Sequence, residues 1–320
     1  MKTLITGATG LIGSHLVVEL LRAGWSNVAV MLRSEGSKRR LEEILSRYGV
    51  SGVEYVMVDT NSFEQIRDAF SGRDIVFHCA AIVDIQGSQE QIVSSNVELT
   101  EYVVDSCLEC GASLVHISSI AALGTASYPE QTNEQTPFTG IATAAAYSRS
   151  KFLSENIVWR GVKQGLRAVV VNPSVVLGTG GKSGAEVEML LGVARRFSIP
   201  FYTDGIVGYV DVVDVARAMR LLAEKPEAWG ERYILSGHNL SFRQIIGLVN
   251  RVGGRRLPFI RVGRGALVVA SLIIPVIRKH MIKYLTSKSL YDGSKIERAV
   301  GLEYTPIEET MRRISDEANK

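Results

Sequence analysis

A tyrosine and a lysine four residues apart, in the run Ala146-Tyr147-Ser148-Arg149-Ser150-Lys151, could together move a proton. Four residues is a little over one helical turn, so on a helix both side chains stand on one face. A phenol is a poor acid near neutral pH, with an unperturbed pKa of about 10, and a neighbouring ammonium favours its ionised form. Taken alone the spacing is common on solvated helices. Its meaning depends on what lies upstream.

The chain opens Lys2-Thr-Leu-Ile-Thr6-Gly7-Ala-Thr9-Gly10-Leu11-Ile12-Gly13. A short apolar strand runs into three glycines spaced three apart, and Leu16, Leu20 and Leu21 then follow a helical pattern. Glycine lets the backbone turn with positive φ and lets a pyrophosphate approach the main chain, while the helix N-terminus offers unpaired N–H groups and the positive end of its dipole. Strand before and helix after is the context a dinucleotide fingerprint requires. The next apolar strand, Val28 to Leu32, ends in Arg33-Ser34, with Lys38, Arg39 and Arg40 beyond. An acid after this strand suits the ribose hydroxyls of NAD, whereas an arginine suits a 2′-phosphate. The expected cofactor is NADP(H), with NAD(H) as the alternative, Arg33 as the main phosphate contact and Lys38 as the second. The plainer reading is a solvated basic helix face with Glu42 and Glu43 as partners.

With the glycine loop and the Tyr/Lys pair both in view, the chain resembles the extended short-chain dehydrogenase/reductase family. Its members carry Gly-x-x-Gly-x-x-Gly, a Ser or Thr after a central strand, and Tyr-x-x-x-Lys. Matching runs follow in family order: Asp59-Thr60 after Val56-Met-Val58, Asp74 to Ala80-Ala81, Asn96-Val97, Ser118-Ser119, Asn172-Pro173-Ser-Val175 to Gly178, Gly208 to Asp214, and Asp292 to Ile296. The resemblance implies a Rossmann-type, doubly wound parallel α/β sheet with a smaller C-terminal substrate-binding part. It implies cofactor contacts from Gly7, Thr9, Gly10, Leu11, Ile12, Gly13, Arg33, Lys38, Asp59, Thr60, Ala80, Ala81, Tyr147, Lys151, Pro173 and Val175, with Asp59 at the adenine end. Tyr147 is then the acid in reduction and the base in oxidation, and Lys151 holds the nicotinamide ribose and activates the phenol. Ser119 orients the substrate oxygen. Ser118 is its neighbouring alternative, since successive strand side chains face opposite ways, and the family pattern favours Ser119. The resemblance also implies a homodimer through helices over 89–110 and 145–164.

Departures from the pattern narrow the reaction. Family members that dehydrate nucleotide sugars carry an acid beside the catalytic Ser or Thr, and here Ile120 follows Ser119. Epimerases show an Asn-Val-Tyr-Gly type run where this chain has Asn172-Pro173, which looks more like the dihydroflavonol reductase and 3β-hydroxysteroid dehydrogenase branch. The expected function is interconversion of a carbonyl and an alcohol on a hydrophobic small molecule. Two alternatives stand beside it: a sugar-nucleotide epimerase with tightly bound NAD, and a non-catalytic dinucleotide sensor, although sensors commonly lose the Tyr and Lys.

Composition agrees with such a protein. A chain of 320 residues, 46% of them hydrophobic, can bury about three quarters of its unfolded surface. Short apolar strands near Thr3, Val28, Val53, Ile75, Leu114 and Val169 alternate with helical stretches, the pattern of a parallel sheet covered on both faces. Residues 1–178 are expected to form the cofactor domain, and 179–320 the substrate part, with helices near 184–196, 213–223, 241–252 and 305–317 and segments returning to the first domain. Cys79, Cys107 and Cys110 read as thiols of a reduced protein, with no metal, because Cys107-Leu-Glu-Cys110 has no second pair. Met1-Lys2 leads directly into a strand without a secretory signal, so the cytoplasm is the expected location. His78 and His116 are expected to be hydrogen-bonded core residues, Asn96 to adjust its helix rather than relay protons, and Asp211 and Asp214 to cap or position a helix.

Charge is distributed unevenly. The whole chain carries +3, yet Arg232 to Tyr291 holds eleven Lys and Arg and no acid, so the remainder carries −8. Within that stretch, Gly265 to Ile277 is uncharged and mostly apolar, bounded by Arg264 and Arg278 and interrupted by Pro275. A helical span needs about 20 residues, so this run is too short to cross a bilayer. It reads either as a buried cap over the substrate site or as part of a peripheral contact, through 255–288, with an anionic membrane. No recognition motif accompanies the charge, which argues against nucleic acid.

Overall fold

A computed structural model of the chain describes residues 1–81, 89–180, 197–273 and 279–317. Seven strands form its main sheet: β1 (Thr3–Thr6), β2 (Val28–Leu32), β3 (Glu54–Met57), β4 (Ile75–His78), β5 (Ser113–Ile117), β6 (Ala168–Pro173) and β7 (Arg232–Leu235). They lie in the order β3-β2-β1-β4-β5-β6-β7, every pair parallel. Central strands of such a sheet are covered on both faces and so are apolar throughout. Leu4, Ile5, Val169, Val170 and Val171 are accordingly all fully buried.

Six helices provide the cover and the crossovers: α1 (Leu11–Arg22), α2 (Glu35–Arg47), α3 (Phe63–Phe70), α4 (Gln89–Cys110), α5 (Ala146–Lys163) and α6 (Val212–Glu224). Alternation along each strand divides the core into two layers. Ile5, Phe77, Val115 and Val169 meet Leu16 and Leu20 of α1 and Met219 and Leu222 of α6. On the opposite face, Leu4, Val76, Leu114 and Val170 meet Val103 and Cys107 of α4 and Ile157 and Val158 of α5. At the β7 edge the Ile234 N–H donates to Glu134 Oε1 at 3.0 Å, so a side chain satisfies a group that another strand would otherwise seek.

The C-terminal part adds α7 (Phe242–Val252), α8 (Arg264–Ile273), α9 (Lys279–Thr286), α10 (Ser294–Val300) and α11 (Ile307–Glu317). A three-stranded sheet of Val175–Leu177, Ile206–Asp211 and His238–Ser241 joins α7 and α11 around its own small core of Leu177, Tyr209, Leu248 and Met311. Although α6 and β7 follow residue 178, they belong to the main sheet and its cover. The helix expected at 305 begins at Ile307, because Thr305 is engaged otherwise: its N–H and hydroxyl both donate to the Asp214 carboxylate at 2.8 Å. Asp211 caps α6, accepting from Val213 N at 2.8 Å. The strand expected at Val53 begins at Glu54.

The helix expected over 184–196 lies outside the described residues, as do 274–278 of the apolar run. In the described part of that run, Leu267 is buried but Val268 and Val269 are exposed, so α8 is not the wholly buried cap of one sequence reading. Among the described residues no helix is long and apolar enough to cross a membrane.

Candidate functional site

The strand order reverses between β1 and β4, and in a doubly wound sheet ligands bind in the crevice at the carboxyl ends there. The glycine loop leaves β1 at this point. Gly7 has φ +70°, and a Cβ on it would stand 2.5 Å from Ala80 N. A Cβ on Gly13 would stand 2.3 Å from Gly7 O, which makes that glycine a requirement of the loop folding onto α1. Gly10 needs no left-handed backbone, with φ −80°; it is exposed and heads α1 without any side chain capping the first turn. Positive φ thus applies to Gly7 alone of the three. Leu11 is buried and Thr9 and Ile12 are half-buried around this turn, whose uncapped N–H groups fit a pyrophosphate. Ala80 N donates to Thr6 Oγ1 at 3.3 Å, and the Thr6 hydroxyl bonds His78 Nδ1 at 2.8 Å, which ties the ends of β1 and β4 together.

Beyond β2, Arg33 is exposed and Ser34 caps α2 by accepting from Ser37 N at 3.2 Å. Lys38, expected as a second phosphate contact, sits over the Tyr55 ring with its ammonium 5.1 Å from the centroid. Asp59 is exposed after β3, where its carboxylate accepts from Asn61 N at 3.0 Å and its N–H donates to Gln65 Oε1 at 2.9 Å. Thr60 beside it is half-buried.

Tyr147 and Lys151 lie on the first turns of α5, the tyrosine 43% exposed and the lysine 7%. Lys151 Nζ donates to Ile117 O, at the end of β5, at 3.3 Å. Ser119 follows that strand and caps the short helical turn Ile120–Ala122, accepting from Ala121 N at 3.1 Å; α5 packs against this turn. Its hydroxyl proton has no acceptor among the described residues and is free to donate. Ser118 instead donates to Glu155 Oε2 at 2.7 Å. Adjacent serines therefore face different surroundings, as the alternation expected.

Three further groups lie close to the buried ammonium. Burial, reinforced by the Lys151 charge, pushes His78 down to about 3. Burial, then His78 and Lys151, holds His116 well below the usual histidine range. Burial raises the Cys79 thiol to about 12, against the pull of Lys151. His116 departs from expectation, because neither of its ring nitrogens has a partner. It borders a cavity of about 10 Å³, with Ala80, Ala81, Asn96, Ser150 and Lys151 among the other lining residues, which is about the space of one water. Asn96 Nδ2 donates to Ser150 Oγ at 3.0 Å, so this residue joins α4 to α5 rather than only adjusting its own helix.

Sequence reasoning missed Glu155. Fully buried, it accepts from Ser118, from Asn172 Nδ2 at 2.8 Å and from Trp159 Nε1 at 3.1 Å, and it pairs with Arg232 at 2.8 Å. Asn172 Nδ2 also donates to Ser119 O at 3.0 Å, so the network holds the backbone that presents Ser119. A signal was present, since Tyr147, Lys151 and Glu155 succeed one another at intervals of four on one helix face. Pro173 is buried at the end of β6, and Val175 is half-buried beyond it. A separate cavity of about 510 Å³ is lined by residues that include Phe152, Trp159, Arg232 and Lys295, and by none of Ser119, Tyr147 and Lys151. Cys79, Cys107 and Cys110 are free thiols. Among the described residues no group of three His, Cys, Asp or Glu could hold a metal ion.

Comparison with known proteins follows the same outline. Residues 3–235 match the model of the NAD dependent epimerase/dehydratase family. Sterol demethylase protein B of Methylococcus capsulatus is 27% identical over 316 residues, covering 94% of this chain and 93% of that protein. Tetraketide alpha-pyrone reductase 2 of Arabidopsis thaliana is 29% identical over 273 residues, covering 77% and 81%. The crystal structure of gox2253 superposes with a TM-score of 0.82 at 25% identity, covering 98% of this chain and 96% of that one. The chain belongs to the NAD-dependent epimerase/dehydratase family, within the extended short-chain dehydrogenases/reductases, and is an NAD(P)-dependent enzyme.

Proposed function

We propose that the protein is an NADP(H)-dependent oxidoreductase that interconverts a ketone or aldehyde and an alcohol on a hydrophobic small molecule. The observation that carries this reading is the unspent hydroxyl proton of Ser119 on the turn against which α5, with Tyr147 and Lys151, is packed. When bound, the dinucleotide supplies or accepts the hydride. Gly7, Gly10 and Gly13 with the first turn of α1 would hold its pyrophosphate, Asp59 and Thr60 its adenine end, and Ala80, Ala81, Pro173 and Val175 would border the rest. During reduction the substrate oxygen gains negative charge. Ser119 donates a hydrogen bond to it and Tyr147 gives it a proton, while Lys151, one helical turn after Tyr147 and anchored on Ile117 O, supplies fixed positive charge. In oxidation the Tyr147 oxygen takes the proton back.

Arg33 supports NADP(H): it stands exposed after β2, where an acid would serve NAD. The relatives support an apolar carbonyl substrate, one being a tetraketide alpha-pyrone reductase and another a sterol demethylase protein. Half-buried Leu99, Tyr102, Phe152 and Leu153 on α4 and α5 support a homodimer through those helices. Free cysteines suit a reducing compartment such as the cytoplasm.

The test is NADPH oxidation against a panel of apolar aldehydes and ketones. Tyr147→Phe should lower kcat by at least about a hundredfold while NADPH binding persists, and Arg33→Ser should raise the KM for NADPH about tenfold and leave NADH little changed. Full turnover by Tyr147→Phe would refute the assignment. NAD retained through purification, with no net turnover, would indicate an epimerase.

A further inference from the structure

We infer that the face built from residues 197–204, 255–264 and α8 is a docking surface for an anionic lipid bilayer, which is an interaction beyond the reaction proposed above. Phe201, Leu257, Phe259, Ile260, Val268 and Val269 are all exposed, Phe259 by 70% and Val269 by 60%. The first four belong to one module. Ile260–Arg261 pairs with Phe201–Tyr202 as a two-stranded parallel sheet, Phe259 and Ile260 both donate their N–H to Pro200 O, and Ser198 Oγ donates to Arg256 O. The chain then enters α8, which turns Leu267 inward and leaves Val268 and Val269 in water. Single exposed apolar residues mean little, but a cluster on one short module is unusual for a surface that meets only water.

Its charge decides what covers it. Arg256 precedes Leu257, Arg264 lies one turn before Val268 on the same face of α8, and Lys283 stands exposed on α9, which packs against α8. These three form no ion pair among the described residues. The one acid in 197–204 and 232–291 is Asp204, and Arg261 already holds it at 2.5 Å. A surface that combines large apolar side chains with unopposed cations matches a bilayer interface, where the apolar groups enter the headgroup boundary and the cations meet lipid phosphates. An acidic protein would satisfy the cations but leave Phe259 and Val269 with no need to be apolar. A second copy would set like charges against each other.

The experiment is sedimentation of the full chain with vesicles of phosphatidylcholine alone or with about one third phosphatidylglycerol, at low and high salt. The expected result is association with anionic vesicles at least about tenfold stronger than with neutral ones, reversed by high salt, given that each cation near the surface contributes about a fivefold factor. Phe259→Ser with Val269→Ser should reduce it about tenfold at unchanged thermal midpoint, and Arg264→Glu with Lys283→Glu should abolish the preference for anionic lipid. Tyr147→Phe should bind vesicles as the wild type does, which separates this surface from the chemistry. Absence of binding at low salt, equal binding to both vesicle types, or wild-type binding by both double variants would overturn the inference. So would a vesicle-free dimer that Phe259→Ser with Val269→Ser dissolves, since that face would then join two copies.

Discussion

Around the carboxyl ends of β1, β4 and β5, polar side chains are removed from water and, His116 apart, given partners: Thr6 with His78, Ser118 and Asn172 with Glu155, Lys151 with Ile117 O. In the module from 255 to 269 the arrangement is reversed, with apolar side chains left in water and cations left beside them. The difference shows where the chain needs precise placement. An unpaired buried polar group costs about 1–3 kcal/mol, so the first region tolerates few arrangements. A surface that meets a fluid partner needs composition and charge more than fixed geometry.

Substitutions can break or sharpen this contrast. The largest effect is expected from Gly7→Ala, which combines a left-handed backbone with a Cβ 2.5 Å from the Ala80 backbone nitrogen. Strain and clash together should cost about 4 kcal/mol, read as a lowered urea midpoint, along with loss of dinucleotide binding. Gly265→Ala in the basic part meets nothing within 4 Å and should shift the same midpoint by less than about 1 kcal/mol. Glu155→Ala follows, because it strips a buried carboxylate from Ser118, Asn172, Trp159 and Arg232; about 3 kcal/mol is expected, together with a fall in kcat through the displaced Ser119. Its counterpart, Asp204→Ala against the exposed Arg261, should cost less than about 1 kcal/mol.

The smallest effect per group is in acid. Burial lowers His15, His78 and His116 in the folded chain. As pH falls through about 6.5 the unfolded chain takes up protons that the folded chain refuses, so stability is complete above that value and declines below it. His78 should cost about 1 kcal/mol by pH about 5.5, and its share should stop growing near about 3. Urea midpoints across this range are the measurement. His78→Asn should flatten the slope.

How much was legible from the residues differs by place. Local patterns carry the strands, the glycine turn and helices α1, α4 and α5, because apolar alternation, helical spacing and glycine act over a few residues. Helical spacing also marked Tyr147 and Lys151, whereas Ser119 came from the family resemblance. Glu155 was not legible as a hub, since its partners come from 118, 172 and 232 and meet only through strand order. The unpartnered His116 was missed for the same reason. The three equal-looking glycines received separate reasons only when Ala80 and α1 were in place.

The sequence by itself determined the doubly wound plan, the family, the residues proposed to carry hydride chemistry, and the acid-free stretch after Glu231, because each is written in neighbours along the chain. The tertiary structure alone decided which serine keeps a proton to give, that a carboxylate stands behind it, and that Phe259 and Val269 face water. Burial and hydrogen bonding are properties of distant segments brought together, and no local spacing encodes them.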